Sequence, residues 1–525
     1  MKNVRLLPLF ALLAAMPMSA HAAKPGDAAI DAAFDDAVAR YHLPGLAVGV
    51  VQDGRIVYTR TSGELVVGTA KKIDNDTLFK IASNSKAMTA GVLARLVDAG
   101  KLKWDDPVAK HLPNFRMHDP WVTREMQVRD LLIHNSGMGA GAGDLMLWPE
   151  PNEFTRADVI KGLAYLKPVY SFRSRYAYDN TLYIVAGEVA AAAGGAPYEE
   201  LVRRELFQPL GLKRCQVGAW NRDEVGNVAQ PHSRRNDSNV VVNQDDASVG
   251  AIPMAAAGGI RCSLNDMLKW AQMWLMPDRF GLANGKPWLS QAQRDAVWIA
   301  QMTMPLSKRM REWDDSHYSA YGYGWRLTDV DGTQKVSHTG TLSGMYSALT
   351  LLPEKKTGFV ILINADADEA RTVLNQTLVK HFTAPTQKRT VAYYAERIAD
   401  EKKGDEATKP VADTSSRVAV DAAAMKDRLG IYRDPWFGEA AICPTQGKVQ
   451  FRSEKSPMLA GRVMRAGERL LVDWDDDRVD TEPWLEFADA GKDRPVRLTL
   501  AKIDPDADFS YDYEDLHFER VRDCP

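Results

Sequence analysis

Much that would place this chain in a familiar class is missing. Four cysteines in 525 residues are too few for a disulfide-built scaffold, so the fold must rest on its cores. Past the first two dozen residues, no stretch approaches about 18 uninterrupted apolar residues, which excludes stable insertion of a later helix into a membrane. Neither sign of charge dominates, with 66 basic and 69 acidic residues and a net charge of −3. No basic field for nucleic acid or anionic lipid is therefore available. There is no Gly-x-Ser-x-Gly elbow of the common α/β-hydrolases. His-Glu-x-x-His is also missing and the ten histidines are scattered, so the pattern calls for no metal and no cofactor. Asp504-Pro505-Asp506-Ala507-Asp508 has calcium-loop spacing, but Phe509 stands where glycine belongs and Asp515 where the bidentate glutamate belongs. A solvated acidic loop is expected there. No internal repeat is visible.

What is present is a large mixed chain, 45% hydrophobic and 26% charged, long enough for two or more domains. Residues 1–22 read as a secretory leader: Lys2 and Arg5, an apolar run from Leu6 to Met16, and Ser19-Ala20-His21-Ala22 as a small-x-small cleavage site. Cleavage after Ala22 would release a periplasmic or secreted protein starting at Ala23 with a net charge of −5 and no cysteine at the cut for a lipid anchor. In an oxidising compartment the four cysteines allow three pairings. Cys215–Cys262 with Cys443–Cys524 is economical if each domain folds alone, and four free buried thiols is the alternative.

Along the chain, Ala28 to Tyr41 has helical spacing, and Leu46–Val51 with Arg55–Thr59 around Gln52-Asp53-Gly54 reads as a hairpin. Val128 to Gly137 reads as a short helix ending in glycine. From about 140 to 325 the pattern is mostly helical. Thr333–His338, Tyr346–Leu352 and the strongly apolar Thr357–Asn364 read as strands, the last of them central, followed by a helix from Glu369 to Phe382. The resulting expectation is an α/β (α+β) domain over 23–385, an antiparallel sheet flanked by helices with a helical region inserted. A charged linker or helical spacer over 386–424 follows. Short alternating segments beyond 425 then predict a small all-β barrel or sandwich over 425–525.

The chemistry concentrates in Phe79-Lys80-Ile81-Ala82-Ser83-Asn84-Ser85-Lys86, which runs into a helix-spaced segment with Val92, Leu93, Leu96 and Val97 on one stripe. Ser83 at the helix start would have free backbone N–H groups and the positive end of the dipole beside it. Lys86, three residues on, shares its face. A serine hydroxyl needs a base to become a nucleophile, and a partly buried lysine can supply or assist one. Alone, Ser-x-x-Lys is also an ordinary helix cap.

Tyr178-Asp179-Asn180 precedes the helical run from Leu182, and His338-Thr339-Gly340 follows a strand. With Ser83-x-x-Lys86 in this order, these motifs make residues 28–383 resemble the penicillin-recognising serine hydrolases: class C β-lactamases, serine D-peptidases and related esterases. Asp130–Gly137 and Ala257-Gly258-Gly259-Ile260 look like structural signatures of the same family. The resemblance implies a β-lactamase/transpeptidase-like fold with Ser83 acylated and Lys86 and Tyr178 exchanging protons. Asn180 would bind the substrate amide, His338, Thr339 and Gly340 would line the substrate, and the N–H groups of Ser83 and Thr341 would form the oxyanion hole. A tyrosinate base would require the phenol to fall by about three pKa units, which an adjacent Lys86 cation could largely supply; the pair titrates as a unit, so the resting base stays open.

His338 departs from the lysine usual in the β-lactamases, and a neutral imidazole exerts little pull on a carboxylate at pH 7. That ranks an exported peptidase or amidase on small peptides, with D-residues allowed, ahead of a carboxylesterase and a β-lactamase. A penicillin-binding sensor or scaffold is the non-enzymatic rival. Arg173 and Arg175 replace the family's Pro-Gly turn and are either carboxylate ligands or solvated charges. Leu429–Gly438 makes the C-terminal part similar to the lipocalin-like domain of some members. Its role and the oligomeric state, a homo-oligomer included, stay open.

Overall fold

The structure is a computed structural model that describes residues 27–283, 285–408, 411–488 and 496–525; the expected leader lies outside the described residues. The sheet is antiparallel and eight-stranded. In chain order its strands are β1 (Gly45–Gln52), β2 (Arg55–Gly63), β3 (Met302–Thr303), β4 (Ser319–Tyr321), β5 (Arg326–Val330), β6 (Thr333–Leu342), β7 (Met345–Leu352) and β8 (Thr357–Ile363). They lie in the order β3-β4-β5-β6-β7-β8-β1-β2, so the hairpin from the start of the chain is sewn onto the last strand, Leu46 opposite Ile363.

Every residue of β8 is buried because both faces of the sheet are covered. Phe359 and Ile361 pack with Ile30 and Phe34 of α1 (Ala28–Tyr41), whereas Val360 and Leu362 point into the larger core that holds α2 (Ser85–Asp98), α3 (Thr181–Gly194) and α4 (Leu264–Leu275). The alternation is the pleat read directly from the sequence. Helix α5 (Asp368–Thr383) closes the α1 side.

One expectation changes and two gain detail. The helix expected from Val128 to Gly137 is a 3₁₀ segment, Val128–Leu132, after which His134 takes φ +57°. The inserted region is not purely helical, since it contains short pairs such as His232–Arg235 with Ser238–Val241. The stretch expected as a charged spacer begins with α6 (Val391–Thr408), whose Val391, Tyr394 and Ile398 are buried in the α1/α5 core. One apolar stripe suffices to dock a helix whose remaining faces are charged.

Beyond it, strands Gly430–Asp434, Gly438–Thr445, Lys448–Ser453, Ala460–Ala466, Arg469–Trp474, Pro483–Ala488, Arg497–Lys502 and His517–Arg522 close into an eight-stranded antiparallel barrel, with Val418–Ala419 added beside Ala460–Ala466. Two of these strands, Ala460–Ala466 and Pro483–Ala488, were not visible in the sequence pattern. The barrel packs on the sheet-and-helix half through Phe437 against Phe154, with ring centroids 5.6 Å apart, and an ion pair between Lys455 and Asp158 at 2.8 Å.

Cys215 is bonded to Cys262 and Cys443 to Cys524. The second bridge spans 81 residues of barrel sequence, a loop whose closure constrains the unfolded chain by about 4 kcal/mol. A Cys443→Ser/Cys524→Ser double variant is expected to lose about 2–4 kcal/mol of barrel stability, read as an earlier urea midpoint of barrel tryptophan fluorescence. An unchanged midpoint would mean the bridge contributes nothing.

Candidate active site

The short strand Leu78–Lys80 leads into a 3₁₀ turn, Ala82–Asn84, and then into α2, so Ser83 sits just ahead of the helix. The turn is strained: Ala82 has φ +48°, a region that residues with a Cβ seldom occupy. Its neighbours hold it there. Ser347 Oγ donates to Ile81 O at 2.8 Å and accepts from Asn84 Nδ2 at 2.8 Å, and Ser85 Oγ accepts from Ile260 N at 3.1 Å. The strand feeding the turn is braced by the Cys215–Cys262 bond, because Cys262 lies opposite Phe79 in the pair Leu78–Lys80 with Arg261–Ser263.

Lys86 is fully buried, yet its Nζ has three acceptors: Ser83 Oγ at 3.0 Å, Asn180 Oδ1 at 2.7 Å and Ala257 O at 2.9 Å. The carbonyl explains why Ala257–Ile260 has the look of a signature. The rings of Tyr178 and Tyr183 lie 4.8 and 5.2 Å from the ammonium. Burial pushes the Lys86 pKa down to about 7, against the pull of Asp144 and Asp179 and with help from Arg326.

Tyr178 moves the other way. Burial raises its phenol above the usual range, and Arg326 and a hydrogen bond with Ser83 only partly offset this. The ring packs on His134, with centroids 4.2 Å apart. His134 itself is driven to about 4 by burial despite Asp179 beside it, so it is neutral. The two possible bases are thereby separated: at pH 7 the amine, and not the phenol, has a substantial deprotonated fraction.

Asn180 begins α3, accepts from Lys86 and donates through Nδ2 to the buried Asp144 at 2.8 Å. Strand β6 comes up beside the nucleophile turn because residue 340 is glycine. A Cβ there would stand 2.2 Å from Ile81 O. The close approach brings the backbone of Thr341 alongside the Ser83 turn, while the Thr341 hydroxyl accepts from Arg371 at 2.7 Å.

The sequence-selected residues Ser83, Lys86, Tyr178, Asn180, Thr339, Gly340 and Thr341 thus converge. His338 lies beside Tyr178, with ring centroids 6.5 Å apart, but both of its ring nitrogens are engaged by neighbours. It is 1% exposed, with Nε2 2.7 Å from the Tyr321 hydroxyl and Nδ1 2.7 Å from Thr339 O. Burial, with Arg326 and Lys86 nearby, holds its pKa well below the usual histidine range. Arg173 stands on an exposed loop and is at the same time ion-paired: Nε and Nη2 grip the buried Asp130 at 2.9 and 2.6 Å. Arg175 lies over the Tyr170 ring at 4.5 Å.

Sequence reasoning missed two participants. Arg326 donates to Thr339 Oγ1 at 3.0 Å and faces Tyr176, Tyr178 and Tyr321, with no carboxylate paired to it among the described residues. The Asp331-Gly332 turn could have revealed it, since a tight hairpin there puts Arg326 opposite Ser337, two residues from Thr339. Asp144 had no comparable signal. It opens a single 3₁₀ turn, Asp144–Met146, that follows Gly141 and Gly143, both at positive φ.

The Beta-lactamase family model matches residues 30–382. The chain is 27% identical over 374 residues to the D-alanyl-D-alanine-carboxypeptidase/endopeptidase AmpH of Escherichia coli K12, a match covering 67% of this chain and 89% of that one. It is 26% identical over 360 residues to the unguisins hydrolase ungD' of Aspergillus campestris, spanning 65% of this chain but only 62% of the fungal protein. Among solved structures, the octameric penicillin-binding protein homologue from Pyrococcus abyssi superposes with a TM-score of 0.58 at 20% identity, covering 89% of this chain and 97% of that one. With the family model spanning well over half of its residues, the chain belongs to the Beta-lactamase family of serine hydrolases.

Proposed function

We propose that the protein is an exported peptidase or amidase that cleaves small peptides, D-residues included, through an acyl-Ser83 intermediate. The observation that supports this above others is the 3.0 Å contact between Lys86 Nζ and Ser83 Oγ, with the amine brought to about pKa 7 by burial. Neutral Lys86 takes the Ser83 proton as Oγ attacks the carbonyl carbon. The tetrahedral oxyanion rests against the N–H groups of Ser83 and Thr341, each such donor being worth about 10²–10³ in rate. Collapse expels the amine, which receives its proton from Lys86 through the Tyr178 hydroxyl. Water then attacks the acyl-serine by the reverse relay. Two disulfides fit the oxidising compartment that the leader implies.

Arg326 supports a peptide over an ester. A guanidinium with no carboxylate partner, bonded to Thr339 at the cleft edge, fits the free carboxylate of a peptide C-terminus, the task a neutral His338 cannot perform. A carboxylesterase remains the second reading, favoured by the same serine and lysine without Arg326.

A fluorophosphonate probe is expected to label the mature protein and Ser83→Ala to abolish labelling; equal labelling would sink the nucleophile assignment. The labelling rate should fall about tenfold per pH unit below an acid limb centred near pH 7, because protonated Lys86 cannot accept the serine proton. A rate that kept climbing past pH 9 would place the base elsewhere. Arg326→Ala should raise KM for peptides with a free C-terminal carboxylate by roughly ten- to a hundredfold, the value of one charge-assisted pair, and leave C-terminally amidated peptides unchanged. Equal losses on both would remove Arg326 from substrate recognition.

A further inference from the structure

The acidic loop expected to be solvated does more than its composition shows. Its carboxylates Asp504, Asp506 and Asp508 are at or near the surface, but the four residues that follow leave the barrel and enter the hydrolase half. The Phe509 ring meets the edge of Tyr178 with centroids 5.8 Å apart, and its carbonyl lies so close to Gly141 that a Cβ there would stand 2.3 Å away. Ser510 Oγ donates to Asp144 Oδ2 at 3.0 Å. Asp512 accepts from the N–H groups of Gly143 at 2.6 Å and Leu145 at 2.9 Å, on both sides of Asp144.

A continuous chain of hydrogen bonds results: Ser510 to Asp144, Asp144 to Asn180, Asn180 to Lys86, Lys86 to Ser83. Each link from Asp144 inward is fully or almost fully buried until Ser83, so water cannot substitute for a lost partner. We infer that Asp144, gripped by Ser510 and Asp512 of the C-terminal barrel, is a positioning residue for the Ser83–Lys86 pair, and that the barrel thereby completes the catalytic site. The inference rests on Lys86 serving as the base.

The electrostatics give the role a measurable sign. Lys86 is faced by the charges of Asp144, Asp179 and Arg326 and by the rings of Tyr178 and Tyr183. The imidazoles of His134 and His338 are close enough to feel its charge, and both are neutral. Asp144 in turn is faced by Lys86, Asp179 and Asp512; burial drives its carboxyl well above the usual range, while the bonds from Asn180 and Ser510 and the Lys86 charge pull it back. Two donors, Asn180 Nδ2 and Ser510 Oγ, converge on Asp144 Oδ2 and favour its ionised form against that burial; the carboxylate charge favours the ammonium form of Lys86, so weakening it lowers the pKa of the amine.

The test is the rate of fluorophosphonate labelling against pH in the full chain, comparing wild type with Asp144→Asn, Ser510→Ala and Ser510→Thr. Asparagine keeps an acceptor for Asn180 and Ser510 but removes the charge, so the acid limb should move to lower pH by on the order of one unit. Ser510→Ala should move it in the same direction by less, and Ser510→Thr, which keeps the hydroxyl, should restore the wild-type profile. A wild-type limb in Ser510→Ala overturns the inference even if Asp144→Asn fails to fold. A wild-type protein that takes no probe would remove the underlying acyl-serine reading as well.

Discussion

Taking the Lys86 ammonium out of water, from a pKa of 10.5 to about 7, costs the charged form about 5 kcal/mol relative to water. Two opposed demands follow. The rings of Tyr178, Tyr183 and His134 must exclude solvent, and three acceptors must remain so that the site survives when the amine does take a proton. Asn180 Oδ1, Ala257 O and Ser83 Oγ meet the second demand with one side chain from the residue before α3, one carbonyl from the Ala255–Gly258 turn and one hydroxyl from the turn before α2. The surroundings of α2 are arranged to satisfy both.

The sheet makes that convergence possible. Joining β1 and β2 to β8 lets segments from both ends of the family domain share one core, and β6 then runs past the Ser83 turn at a distance only glycine at 340 permits. Strain at Ala82 is held by Ser347 and Asn84, which fixes the position of the adjacent Ser83. Local sequence sets the helix, whereas non-local contacts set the reactive geometry.

That division governs what could be read in advance. Ser83 and Lys86 were legible because i and i+3 share a helical face, and the strands from 333 to 364 because their apolar runs are unmistakable. Tyr178 was legible as a participant, but the direction of its titration was not, since burial among His134, Tyr176 and Tyr321 exceeds the effect of the nearby cation. Arg173 looked available because its partner Asp130 lies 43 positions away. The docked stripe of α6 was hidden by charge on its other faces. Asp144 and the Phe509–Asp512 strap sit in irregular backbone brought together across more than 360 positions, where periodicity carries no information.

The placement of that strap also orders events in time. Ribosomes release a chain from its first residue onward, so the sheet, the serine turn and the lysine emerge long before Phe509, Ser510 and Asp512 do. Until the final barrel strands close, the segment around Asp144 lacks its clamp, and the nascent hydrolase half travels with an unfinished centre. A chain built in this order acquires the Ser510 and Asp512 contacts of the Asp144 segment only once its last domain has folded against the first.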